Sequence, residues 1–156
     1  MQPFGNVVYD ATRSAFHCGF DFGMKFNYAP FYSCGDGAVL EVNYNTNEGL
    51  SGTNYRIVIS VSANVSLDYH FEIGGNVSEQ EIKNNIFVKQ GDYVKAGQKI
   101  ANLISLVDYA HVDFGIKKDD KRDICPLQFF TTDAANKMEI LFDSVEKRPI
   151  RENLCE

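Results

Sequence analysis

Alternation of apolar and polar residues dominates the middle of the chain and predicts strands rather than helices. From Tyr55 to Ser62 the apolar residues Ile57, Ile59 and Val61 fall on one face, as residues two apart do on a strand. Val65 to Ile73 repeats the pattern with Leu67, Tyr69, Phe71 and Ile73, which leaves Asp68, His70 and Glu72 together on the other face. Ala38 to Tyr44 mixes Val39 and other apolar residues with Glu41 and Asn43. Shorter strands are expected over Asn6–Tyr9, from Lys99 onward and around His111. Turns are expected at Asn27-Tyr28-Ala29-Pro30, at Gly35-Asp36-Gly37, and on both sides of Val94, where Gly91 and Gly97 punctuate the chain. Residues 45–54 read as a polar loop. Ser78-Glu79-Gln80-Glu81 has the form of a capping box and predicts a short helix to about Asn84. In the tail, Ala134, Met138, Leu141, Phe142 and Val145 recur at helical spacing behind Thr131 or Thr132, so a helix is expected there with its Met and Leu positions packed on the core. About seven or eight strands with one late helix make a mainly β, antiparallel architecture.

Composition agrees with that pattern. Twelve Phe and eight Tyr against few Ala favour strands. At 156 residues the chain is expected to form a single domain, 1–156, with a genuine core. A formal charge of −6, with no basic cluster, argues against a nucleic-acid partner. The run Lys117-Lys118-Asp119-Asp120-Lys121-Arg122-Asp123 is charged but nearly balanced in sign and reads as a solvated loop. No stretch has the length and apolarity of a transmembrane span, and the Met1-Gln2-Pro3-Phe4-Gly5 start has neither the basic residues nor the apolar run of a secretory signal. The four cysteines, Cys18, Cys34, Cys125 and Cys155, have no metal-type spacing, and their number permits two disulfides.

Candidate chemistry gathers on the three histidines, His17, His70 and His111, each in an apolar, strand-like stretch. In Phe16-His17-Cys18-Gly19-Phe20-Asp21 the flanking aromatics and Gly19 argue against helix. On an extended strand His17 and Asp21 would lie roughly 13 Å apart, too far to grip one ion. A bend at Gly19 lets imidazole and carboxylate converge; Cys18 points away from His17 where the segment is extended and is not expected to be a ligand. His111 and Asp113, two apart, share one strand face while Val112 and Phe114 take the other.

Several short patterns follow one another in a family order: His17-x-Gly19-x-Asp21, Asp36-Gly37-x-Val39, Tyr69-His70, Gly91-Asp92-x-Val94-x-x-Gly97-Gln98, His111-x-Asp113-Phe114 and Pro126-Leu127. Together they resemble the lysostaphin-type zinc metallopeptidases, the M23 family, over about residues 14–130, with 131–156 a helix and tail outside the likeness. The resemblance implies an antiparallel β-sheet or sandwich with a C-terminal helix. It also implies Zn2+ or another divalent metal held by His17 and Asp21, with His70 and His111 as catalytic residues. The implied substrate is a peptide, notably the peptide cross-links of peptidoglycan, and the implied setting is extracellular or periplasmic. The family's third ligand is a histidine where this chain has Asp113. Either Asp113 takes that place, since Asp is a competent zinc ligand, or His111 does and Asp113 orients it. A His, Asp, Asp set would cancel the charge of a divalent cation. That departure also supports a second reading, a catalytically silent binding or regulatory domain on the same scaffold. Residues around Ser78 to Asn85, beside His70, look additional to the family pattern and are expected to reshape its groove.

Overall fold

The computed structural model describes residues 4–10, 13–24, 28–45, 54–106, 110–144 and 154–155. In chain order the strands are β1 (Gly5–Asp10), β2 (Arg13–His17), β3 (Phe20–Met24), β4 (Tyr28–Tyr32), β5 (Gly37–Asn45), β6 (Asn54–Ser62) and β7 (Val65–Glu72). After helix α1 (Glu79–Asn84) come β8 (Tyr93–Val94), β9 (Lys99–Ile104) and β10 (Ala110–Lys118). A 3-10 turn (Pro126–Phe129) then leads to helix α2 (Thr132–Asp143). The expected mainly β, antiparallel architecture with a late helix is the observed one, with ten strands among the described residues. Six strands form the principal sheet in the order β3-β10-β7-β6-β5-β8, and β1-β2 and β4-β9 form two smaller sheets.

The period-two pattern decides which side of the principal sheet is dry. Tyr55, Ile57 and Ile59 on β6, Leu67, Tyr69 and Phe71 on β7, and Val112, Phe114 and Ile116 on β10 are all buried on one face. The β4-β9 sheet and α1 cover that face with Ile100, Leu103, Ile104 and Ile82, none of which retains exposure. Phe71 is the centre of this packing, stacked on Tyr55 at 4.2 Å and edge-on to Phe31 at 5.4 Å. Each large apolar side chain so buried contributes about 1.5–3 kcal/mol. The opposite face carries Arg56, Asp68, His70, Glu72, His111 and Asp113.

Both predicted helix caps are made: Ser78 accepts from the Glu81 amide and Thr131 from the Ala134 amide. Gly91 and Gly97 turn with φ of 91° and 79°, left-handed values that favour glycine. Two expectations are corrected. Tyr28, Ala29 and Pro30 do not turn; they belong to edge strand β4, where Pro30 lies opposite Asn102 and an edge tolerates the missing amide. Leu141 is not core: it is 46 % exposed, while Phe142 is the buried residue of α2. Leu141 and the half-buried Met138 border an open apolar cavity of about 410 Å3 between α2 and Phe22, Tyr69 and Phe114. Val145 and the 46–53 stretch of the polar loop lie outside the described residues, as does Asn27.

The tail ties down the hairpin that carries His17. A disulfide joins Cys125 to Cys155, Leu154 is fully buried, and the Phe4 amide donates to the Leu154 carbonyl at 3.0 Å. Phe4 in turn packs edge-on against Phe16, and Gly5 pairs with His17 across β1-β2. Cys18 and Cys34 are free thiols. Among the described residues no helix is long and apolar enough to cross a membrane.

Candidate metal centre

The strand registers line up one row of polar residues across the sheet. Arg56 on β6 lies opposite His70 on β7, His70 opposite Asp113 on β10, and Asp113 opposite Asp21 on β3. Two carboxylates directly opposite on neighbouring strands repel unless a cation stands near them. His17 supplies one polarisable group there. His17 Nε2 is 3.1 Å from Asp21 Oδ1 and 3.8 Å from Asp113 Oδ1. His17, Asp21 and Asp113 can each offer one ligand atom, and these atoms lie within 4.8 Å of one another. Each of the three side chains is about one-seventh exposed, enough for an ion to enter from solvent and little enough to limit competing water.

Convergence of His17 and Asp21 comes from a break in the strand, as expected, though not from unusual dihedrals at Gly19. Chain pairing stops at His17 and resumes at Phe20, and Gly19 is not among the residues with positive φ. Glycine is needed here for room. A Cβ on Gly19 would fall on the Asp113 carboxylate, the Arg122 guanidinium and the Phe114 carbonyl oxygen. Cys18, half-buried, is not one of the three converging donors.

His111 and His70 occupy diagonal positions on the same face, one row apart. His111 Nε2 lies 3.9 Å from Asp21 Oδ1 and 3.4 Å from Glu72 Oε2, and His70 Nδ1 lies 3.9 Å from Glu72 Oε1. Glu72 therefore stands between the two imidazoles. Burial pulls the His111 imidazole down, but its bond to Glu72 and the charges of Asp21, Glu72 and Asp113 outweigh this and hold it above its ordinary value. The bond from His111 likewise holds the Glu72 carboxyl below the usual range, against the effect of burial. His70, 33 % exposed, opens onto a polar pocket shared with Asn43, Asn54, Arg56 and Arg122. Helix α1 does not reshape that side: Tyr28 donates to its Glu81, Asn85 contacts Asn102, and Ile82 is buried in the core, all behind the sheet from His70.

Arg122 departs furthest from expectation: it does not lie in a solvated loop but folds back onto the sheet. Its Nη2 donates to Asp113 Oδ1 at 2.7 Å and its Nη1 to Asp113 Oδ2 at 3.0 Å, forking the carboxylate. The turn after β10 is responsible. Asp119 and Asp120 both take left-handed conformations, φ 51° and 65°, and Lys118 pairs with Lys121 in both directions, so the chain reverses over its own strand. The guanidinium then lies across Gly115, where a Cβ would strike it.

No protein-family model matches the chain, and no curated protein does. Solved structures do. One is the catalytic domain of the prophage-encoded M23 protein EnpA from Enterococcus faecalis, in a point-mutant form. It aligns with a TM-score of 0.53 and 22 % identity over 76 % of this chain and 78 % of that one. Another is Csd3 of Helicobacter pylori, with a TM-score of 0.58 and 20 % identity over 93 % of this chain; the match spans 41 % of the Csd3 chain. The chain has the antiparallel β fold of an M23 catalytic domain.

Proposed function

We propose that this chain is a metal-dependent endopeptidase, with Zn2+ as the favoured ion, acting on peptide cross-links of the bacterial cell wall. The observation that carries the reading is the convergence of His17, Asp21 and Asp113 within 4.8 Å on a sheet face that also presents both remaining histidines. One imidazole and two carboxylates are competent zinc donors, and three protein ligands leave a position for substrate or water. When bound, the ion supplies Lewis-acid polarisation of the scissile carbonyl and acidifies a water.

The rest is work for the chain's own side chains. His70, partly exposed and backed by Glu72 on its Nδ1 side, is placed to accept a proton. His111, kept charged-prone by Glu72 and Asp21, is placed to donate a hydrogen bond to a developing oxyanion. The disulfide Cys125–Cys155 accords with an oxidising compartment, as cell-wall work outside the cytoplasm requires. The cell-wall substrate rests on the fold shared with the EnpA M23 catalytic domain.

The fork of Arg122 on Asp113 favours a second reading, in which the guanidinium replaces the ion and the domain binds without cleaving. One experiment separates them. Protein stripped with a chelator is titrated with zinc, then assayed on peptidoglycan and glycine-rich peptides. The peptidase reading expects one zinc per chain, lost in His17→Ala, and hydrolysis that fails in His70→Ala although zinc is retained. Zinc bound normally by His17→Ala would remove the proposed centre. No zinc uptake by the parent, with no hydrolysis at any pH, would establish the binding domain in which Arg122 stands in for the ion.

A further inference from the structure

Two carboxylates and one neutral imidazole would cancel the charge of a divalent cation. Arg122 changes that sum. It is 16 % exposed, it holds both oxygens of Asp113, and its own position is prepared by two glycines that leave room for it, Gly19 between two of the ligands and Gly115 beneath. A merely solvated arginine needs neither the left-handed Asp119-Asp120 turn nor those cleared positions.

Its other neighbour does not account for the geometry. Arg122 Nε lies 3.6 Å from Asp68 Oδ2, without hydrogen-bonding it, whereas Asp68 already has both oxygens held by Arg56. The forked, directional contact is the one to Asp113.

We propose that Arg122 is a built-in counter-charge of the metal centre: it makes Asp113 a donor that is neutral as a pair. The set His17, Asp21, Asp113 and Arg122 then carries −2 + 1 = −1, the charge of two imidazoles and one carboxylate. A bound divalent ion keeps a net positive charge, which Asp113 alone would have cancelled. Arg122 thereby weakens the ion's hold while preserving its power to polarise a carbonyl. It acts through Asp113 and is a positioning residue. The inference rests on the metal reading above.

Zinc affinity tests it, measured on the whole chain by competition with a chromophoric chelator, beside the melting temperature of the metal-free protein. Arg122→Gln should tighten zinc at least about tenfold, the lower end of what partners just outside a metal's ligands change. Arg122→Lys keeps the charge and should stay near the parent. Asp113→His leaves the guanidinium beside the ion without its carboxylate, so the double variant with Arg122→Gln should bind zinc at least about tenfold more tightly than Asp113→His alone. That double variant contains no orphaned charge, so it provides a folded comparison if Arg122→Gln alone does not fold. A purely structural Arg122 would lower the melting temperature and leave zinc affinity unmoved, which overturns the proposal. So does looser zinc in Arg122→Gln, or a double variant no tighter than Asp113→His. If neither the parent nor any variant takes up zinc, the metal reading itself falls; binding that ignores Arg122 defeats the counter-charge alone.

Discussion

Asp68 and Asp113 stand on neighbouring strands of one sheet face, and each has both carboxylate oxygens held by an arginine. Their surroundings differ. Asp68 is fully buried, and its remaining charged neighbours are cations, Lys117 Nζ at 3.8 Å and Arg122 Nε at 3.6 Å. Asp113 keeps 16 % exposure, and beyond its arginine it faces His17 and, across the β3-β10 pairing, another carboxylate. The first carboxylate has only structural partners. The second is held on one side and, on the other, directed at a cleft of donors. The same ion-pair chemistry thus builds a fixed strut at one end of the face and holds the proposed metal ligand two residues along the register.

The largest effect should come from the strut. Asp68→Asn takes from Arg56 the carboxylate that binds both its donors and leaves the buried side of Arg122 without one. It should cost about 3 kcal/mol in urea unfolding, the low end for a broken buried pair because Arg56 keeps 35 % of its side chain in water. Asp113→Asn should cost less stability, since Arg122 retains Asp68 nearby, yet lose zinc affinity by more than tenfold, a rough floor for losing a ligand. Equal stability losses in the two variants, or zinc loss in Asp68→Asn matching that in Asp113→Asn, would erase the distinction between them.

Gly19→Ala probes the Asp113 side without touching the strut. The added methyl meets the Phe114 backbone oxygen as well as the Asp113 carboxylate and Arg122, so repositioning a side chain alone does not relieve it. Overpacking of this kind costs about 1–3 kcal/mol. Zinc binding should be lost along with it, because the residue lies between two of the donors. Gly115→Ala makes the sharper comparison. The three atoms nearest its methyl all belong to Arg122, so it should displace the guanidinium and leave His17 and Asp21 in place.

How much of this was legible depended on range. Strand faces followed from period two, so the grouping of His70 with Asp68 and Glu72, and of His111 with Asp113, was readable from spacing alone. Which strands become neighbours is not local, and the row Arg56, His70, Asp113, Asp21 exists only through the order β6-β7-β10-β3. Charge balance hid Arg122, because a run with alternating signs looks solvated whether or not one member folds back. The signals were present: two aspartates bracketed by lysines as a tight turn, Gly115 in mid-strand, and a mid-strand Asp68 that no core accepts without a cation. Leu141 misled in the other direction, since helical spacing marks an apolar stripe, on which Met138 does pack against the core, and not whether anything closes over every member of it.

The smallest effect lies at the other end of the cleft, where the His111–Glu72 pair tests whether every charge on this face is fixed as Asp68 is. In the metal-free protein Glu72 is held below its ordinary value of 4.5, chiefly by the bond from His111, so its contribution is present above that value and lost as pH falls through the lowered one. His111 is held above its ordinary 6.5 despite burial, so its contribution is complete below 6.5 and lost as pH rises through the raised value. The pair therefore stabilises most between 4.5 and 6.5 and fades on both sides. Both groups keep close to a third of their exposure, so the amplitude should be under about 1 kcal/mol. Melting the chelator-treated protein from about pH 4 to 9 should show the parent losing stability above neutrality relative to Glu72→Gln. With Asp68→Asn as the reference background the same slope should persist, because the strut does not contact His111. Parallel curves for parent and Glu72→Gln would mean that the two imidazoles are not joined through Glu72, and that the cleft ends at Asp21.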